Sequence, residues 1–185
     1  MIEDVIADGR TRMEKAMEAL HRELMAIRTG RAAPSLVERL PVEQYGTEMP
    51  LNQLANIAAP EARLITITPW DKGSINAIEK AIRKSELGLN PTSDGQLIRI
   101  AIPPLTEERR RALVKVVHTK VEDAKIAVRN IRRDAMSQAK EFKDEKMISE
   151  DDERRAETQI QDLTNKFVAQ AEQIGKEKER DVLQV

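Results

Sequence analysis

PPLTEERRRALVKVVHTKVEDAKIAVRNIRRDAMSQAKEFKDEK, residues Pro103 to Lys146, is the stretch that decides the fold. After the Pro103-Pro104 pair, Thr106 is a helix N-cap, and Glu107 and Glu108 place carboxylates at the positive end of the helix dipole. Leu113, Val117, Ala124, Ile131, Ala135 and Phe142 then keep one apolar side going to about Lys146. At 1.5 Å per residue the helix is roughly 60 Å long. Few globular helices reach that length.

Two further segments match it. Ile6, Met13, Leu20 and Ile27 repeat every seven residues, with Met17 and Leu24 between them, and the pattern stops at Thr29-Gly30. Beyond the long stretch, Ser149 caps a run that opens with Glu150, Asp151 and Asp152 and continues through Ile160, Leu163, Phe167 and Ile174. Three long amphipathic helices predict an elongated three-helix bundle.

Between Arg31 and Pro103 the texture changes. Seven of the eight prolines fall there, with Gly46, Gly73, Gly88 and Gly95, so the helical periodicity is broken repeatedly. Short β-branched runs at Leu36-Val37, Leu54 to Ala59, Leu64 to Ile67 and Leu97 to Ile102 read as strands, and Asp94-Gly95 suits a hairpin turn before the last. Ile75, Ile78 and Ile82 place a helix between Asp71 and Ser85. The predicted class is α+β, mainly α: residues 1–30 plus 105–185 form the three-helix bundle, and residues 31–104 an inserted small α/β domain. Thr29, Gly30 and Arg31, with Pro103, Pro104 and Leu105, are the two chain crossings. Paired short crossings permit hinge motion, against the alternative of a rigidly docked domain.

Composition excludes much. No cysteine is present, so disulfides, thiolate zinc sites and a cysteine nucleophile are out, and two histidines cannot build a multi-histidine metal centre. Aromatics are 2% of the chain, so the core must be aliphatic. No stretch approaches the roughly 20 apolar residues of a membrane span, and the acidic, periodic N-terminus is unlike a secretion signal. A soluble, cytoplasmic protein is expected. Phosphate-loop, dinucleotide, zinc-protease and nucleophile-elbow motifs are absent, and His21 and His118 have no serine or cysteine near them in sequence. No catalytic residue, metal or cofactor is expected. Ser149 to Glu153 reads as an acidic first helical turn rather than a cation site. Trp70, after Pro69, reads as a buried packing residue of the insertion rather than a base-stacking one.

A net charge of −1 hides segregation. From Arg109 to Arg133 nine Lys or Arg face two acids, whereas Asp134 to Glu153 carries eight acids against three lysines. At about 100° per residue, Arg111, Lys115, Lys125, Arg132, Arg133, Lys140 and Lys143 fall within about 60° of Arg129. His118 shares this face, and Glu122 alone interrupts it. The apolar stripe lies some 130° away, so the ridge points outward for roughly 48 Å. That length suits the phosphates of a large folded RNA better than one small ligand. Arginine at 129, 132 and 133 can grip phosphate with two hydrogen bonds. Without interleaved aromatics, recognition by shape and backbone should dominate. A protein-partner surface, as on a helical adaptor or cochaperone, is the alternative.

Several short motifs occur in order: Ile27-Arg28-Thr29-Gly30-Arg31-Ala32, Pro69-Trp70-Asp71, Glu79-Lys80-Ala81-Ile82 and Leu87-Gly88-Leu89-Asn90-Pro91. Leu105-Thr106-Glu107-Glu108-Arg109-Arg110, Ala127-Val128-Arg129-Asn130-Ile131-Arg132-Arg133-Asp134 and Ile148-Ser149-Glu150-Asp151 complete the set. Together they resemble the ribosome recycling factor family over essentially the whole chain. Departures are mild: Gln44 where an aromatic often precedes Tyr45, Glu86 for the usual Asp, and Ile126 where Val is common.

The resemblance implies an L-shaped molecule that disassembles the post-termination ribosome with elongation factor G and GTP, which that factor hydrolyses. It implies a helical rod on the large subunit at the intersubunit face, with Arg129, Arg132 and Arg133 holding ribosomal RNA. Arg28 and Arg31 belong to the same recognised set, to touch RNA or to brace the elbow. The inserted domain would meet elongation factor G. No membrane partner is implied, and the apolar stripes, used up within one bundle, suggest a monomer.

Overall fold

A computed structural model describes residues 1–184; Val185, the last residue assigned to the helical part on sequence, lies outside them. The chain divides into two compact units, residues 1–28 with 106–184, and residues 29–105.

The first unit holds α1 (Ile2–Met25), α3 (Glu107–Asp144) and α4 (Glu150–Leu183), each packed on the other two. The long stretch is one unbroken helix of 38 residues, about 57 Å. Thr106 Oγ1 accepts from the Arg109 N–H at 3.1 Å and so satisfies one of the orphan donors of its first turn. At its other end Lys146 takes φ +60, and the N–H groups of Lys146 and Met147 return to the carbonyls of Lys143 and Phe142. That is a Schellman closure made without glycine. Ser149 and Asp152 then form a reciprocal capping box that starts α4. Five residues, Glu145 to Ser149, therefore suffice to reverse the chain.

The bundle core is a ladder of methionine and aliphatic side chains: Met13, Met17, Leu20 and Leu24 meet Val117, Val121, Val128 and Ile131 of α3, and Leu163, Phe167 and Ile174 of α4. A second cluster of Val5, Ala135, Ala139, Ala156 and Ile160 is mostly alanine. α1 ends earlier than the sevenfold repeat indicates, at Met25. Ile27 lies beyond the helix but still packs against the core, so its apolar character reflects burial rather than helix.

The second unit is a four-stranded antiparallel sheet of order β3-β4-β6-β5, with β3 (Ala55–Glu61), β4 (Leu64–Pro69), β5 (Pro91–Ser93) and β6 (Ile98–Ala101). Alternation sends Ile65, Ile67, Ile98 and Ile100 to one face, where Ile75, Ile78 and Ile82 of α2 (Ile75–Lys84) complete the core. The Asp94 carboxylate accepts the N–H groups of Gln96 and Leu97, shaping the β5–β6 turn, and this pulls its pKa below the ordinary value. A separate hairpin of β1 (Pro41–Gln44) and β2 (Thr47–Pro50) turns at Tyr45 and Gly46, both at positive φ. It is absent from the sequence reading because Pro, Glu and Thr dominate it; only Val42 is fully buried.

Two sequence expectations are corrected here. Leu36-Val37 is not a strand: Pro34–Leu36 is a 3-10 turn, since proline presets its first φ, and Val37 simply plugs the core. Trp70 is not buried but 69% exposed. Alternation explains it, because Ile65, Ile67 and Pro69 take the inward positions of β4, which leaves residue 70 outside.

Candidate nucleic-acid interface

The face of α3 opposite its buried residues Leu113, Val117, Val121, Ala124, Val128 and Ile131 carries the basic ridge. Its members are held differently. Arg111 pairs with Glu107 one turn before it. Lys115 is exposed, and its side chain forms no ion pair or hydrogen bond among the described residues; the same holds for the side chains of Arg133 and Lys140. His118 Nε2 lies 3.2 Å from Glu179 Oε2 of α4. Lys125 Nζ donates to Glu172 Oε1 of α4 at 2.8 Å and lies 4.0 Å from Glu122 Oε2. Arg129 Nη1 lies 3.6 Å from Glu122 Oε1. Arg132 is half-buried, its Nη1 donating to Gln161 Oε1 at 3.1 Å, with the Gln161 amide passing on to Asn165 Oδ1 at 2.9 Å. Lys143 Nζ reaches Glu153 Oε2 at 3.1 Å.

The electrostatics follow these contacts. The Lys125 hydrogen bond and charge hold the Glu172 carboxyl below its ordinary range, with Lys176 and Arg129 adding to the effect. The hydrogen bond and charge of Glu153 raise Lys143. The ridge thus has an anchored edge leaning on α4, at Lys125, Arg132 and Lys143, and an open edge at Lys115, Arg133 and Lys140. Fixed guanidinium and ammonium groups in register along a helix can bind a series of phosphates. They offer no nucleophile or general base.

The α4 partners of the ridge are residues that the sequence reading does not single out. Their signal was present: Gln161, Asn165, Glu172 and Glu179 fall within about 40° of one another on a helical projection. A polar row on a charged helix is ordinary until its neighbour is known.

Other expected site residues lie elsewhere. Arg28 is exposed just beyond α1 and Arg31 is exposed just beyond Gly30, in the other unit. Gly30 takes φ +78, and a Cβ there would stand 3.0 Å from Leu105 Cγ, so the two crossing segments touch. Pro103 and Pro104 are exposed beside Leu105. On the inserted unit Tyr45 is 86% exposed, its hydroxyl donating to Asp71 Oδ2 at 3.5 Å, while Asp71 Oδ1 accepts the Gly73 N–H at 2.9 Å. Among the described residues no cluster of His, Asp and Glu could hold a metal ion, and no helix is long and apolar enough to cross a membrane.

Fold and site define a two-unit, mainly helical protein organised around a long basic helix. Its sequence matches the ribosome recycling factor family over residues 20–183. The ribosome-recycling factor of Thermomicrobium roseum is 59% identical, and that of Carboxydothermus hydrogenoformans 51%, over the full length of both chains in each case. A solution structure of a ribosome recycling factor superposes with TM-score 0.71 at 42% identity, covering 100% of this chain and 98% of that one. A second match, TM-score 0.61 at 45% identity with 99% of both chains covered, is to the T. thermophilus ribosome recycling factor. It comes from models of that factor and the E. coli elongation factor G bound to the E. coli post-termination complex. The chain belongs to the ribosome recycling factor family, and as a member it is a translation factor and not an enzyme.

Proposed function

We propose that this protein recycles ribosomes after termination, splitting the subunits together with elongation factor G and GTP so that mRNA and tRNA are released. The observation that carries the site assignment is the open edge of α3, where Arg133, Lys140 and Lys115 stand exposed without internal partners. Large-subunit ribosomal RNA at the intersubunit face is the polyanion that edge meets, with Arg129, Arg132, Lys125 and Arg111 completing the grip. Arg132 is pre-aimed by Gln161 and so costs little ordering entropy on binding.

The inserted unit serves elongation factor G. Its basic and acidic residues balance at eight each, which argues against a phosphate surface, and exposed Tyr45 and Trp70 are the residue types that anchor protein interfaces. Arg28 and Arg31 border the crossings, and Thr29-Gly30-Arg31 with Pro103-Pro104-Leu105 act as the hinges through which that factor's work reaches the rod. The protein acts as a cytoplasmic monomer without cofactor or metal.

Sedimentation with large ribosomal subunits across a salt series tests the grip. Arg133→Ala should weaken binding and lower the log–log salt slope by about one. An unchanged slope removes Arg133 from the interface. If the intact chain shows no salt-dependent sedimentation at all, the helical adaptor or cochaperone reading takes over. Splitting of post-termination ribosomes, dependent on elongation factor G and GTP, is the functional readout.

A further inference from the structure

The middle of the basic ridge is electrically closed. Glu172, Lys125, Glu122 and Arg129 form a continuous chain, with successive separations of 2.8, 4.0 and 3.6 Å. Two carboxylates thus balance two cations. The Lys125 side chain is only 16% exposed, whereas Glu122 and Glu172 are 57% and 49% exposed. Of the two cations Lys125 is covered, whereas Arg129 is 47% exposed and as open as the two acids, which are free to swing away.

A stray phosphate gains little at such a site. To reach Lys125 it must displace a carboxylate at 2.8 Å, and it then faces the second carboxylate, whose repulsion offsets the new contact. Two phosphates arriving together at Lys125 and Arg129 meet both cations at once, while Glu122 and Glu172 turn into water. Only a folded RNA holds phosphates at that fixed spacing; an unstructured strand loses conformational entropy to do so.

Resting on the RNA-binding reading of α3, we propose that Glu122 and Glu172 are specificity-determining residues, which neutralise Lys125 and Arg129 toward unstructured polyanions and release them to a folded RNA surface. Discrimination is a difference of affinities, and an internal competing anion lowers the wrong one more than the right one. A basic ridge open along its whole length would bind any RNA strand.

The test uses the full chain with Glu122→Gln, Glu172→Gln and both together. Binding to poly(U) and to large ribosomal subunits is measured over a salt series, with thermal midpoints confirming folding. The double variant should bind poly(U) about tenfold tighter at low salt, with a log–log slope steeper by up to about 1.4, from two more cations on a single strand. Its large-subunit affinity should rise by less than about threefold, so that the ratio between the two falls. Glu172→Asp, which keeps the charge, should restore most of the discrimination. Unchanged poly(U) binding, or a parallel rise for both ligands, overturns the proposal while leaving the RNA-binding face in place, provided Arg133→Ala still weakens large-subunit binding. If Arg133→Ala and the glutamine variants alike leave every RNA measurement unchanged, the RNA-binding face itself is refuted and the proposal with it. Glu122 is well exposed, so Glu122→Gln alone keeps the test decisive should the double variant fold poorly.

Discussion

The two units solve the same packing problem with different means. Neither has aromatic bulk to spare: Phe167 is the one aromatic side chain buried among the described residues. The inserted unit compensates with branched isoleucines, seven of them converging from two strands and one helix, four of which are fully buried in the sheet. Each is a large plug in a small core. The helical unit compensates with length, spreading burial over a ladder of Met, Leu, Val and Ala along three helices. Charge differs as well. Both units are close to neutral, but only the helical one sorts its charges by sign, into a ridge on α3 that faces outward. A compact core concentrates the penalty of any one substitution, and an extended one dilutes it and leaves a long face free for binding.

The largest effect should come from the concentrated core. Ile78 is fully buried on α2 against the sheet, and Ile78→Ala should cost about 2–5 kcal/mol. Hydrogen exchange should show protection lost across residues 29–105 with the helices of the other unit still protected. Equal loss in both units would break the contrast, making the chain one cooperative whole. A smaller loss is expected where α4 passes close to α3 at Gly175. A Cβ at Gly175 would overlap Val121 Cγ2, and a valine in a helix has little rotamer freedom with which to yield. Gly175→Ala should destabilise by about 1–3 kcal/mol in denaturant melts, and adding Val121→Ala should recover most of it. Gly9, also within a helix, has nothing within 4 Å of its added Cβ. Gly9→Ala should therefore stabilise the bundle by about 0.5–1 kcal/mol. The opposite signs at two helical glycines would sharpen the view that the extended core is tight only where helices cross.

Much of this was legible in the chain. Leu113 through Phe142 announced α3 because a helix repeats its environment every 3.6 residues, and Thr106 and Ser149 marked the starts of α3 and α4 through hydrogen bonds made within three residues. Such signals are local, so they survive in sequence. The β1–β2 hairpin was not legible. Val42 and Met49 pair across it, but its turn is Tyr45-Gly46 rather than Asn-Gly, and its flanks are glutamate and proline. Trp70 departs from expectation for a related reason: hydrophobicity suggests burial, whereas its position after Pro69 on β4 places it outside. For the ridge, the direction of each basic side chain along α3 followed from periodicity, but its availability did not. Lys125, Arg132 and Lys143 are held by Glu172, Gln161 and Glu153, residues 47, 29 and 10 positions away.

The amino-acid order alone determined the long helices, their caps, the proline-rich interruption and the outward segregation of positive charge, because each depends on backbone geometry repeated over a few residues. Tertiary structure alone decided which cations stand free and which are already answered by a carboxylate. A pair within one helix, such as Arg111 with Glu107, can be read from spacing. The pairs of Lys125 with Glu172 and Lys143 with Glu153 depend instead on distances between side chains on different helices, which no local pattern encodes until α3 and α4 have packed.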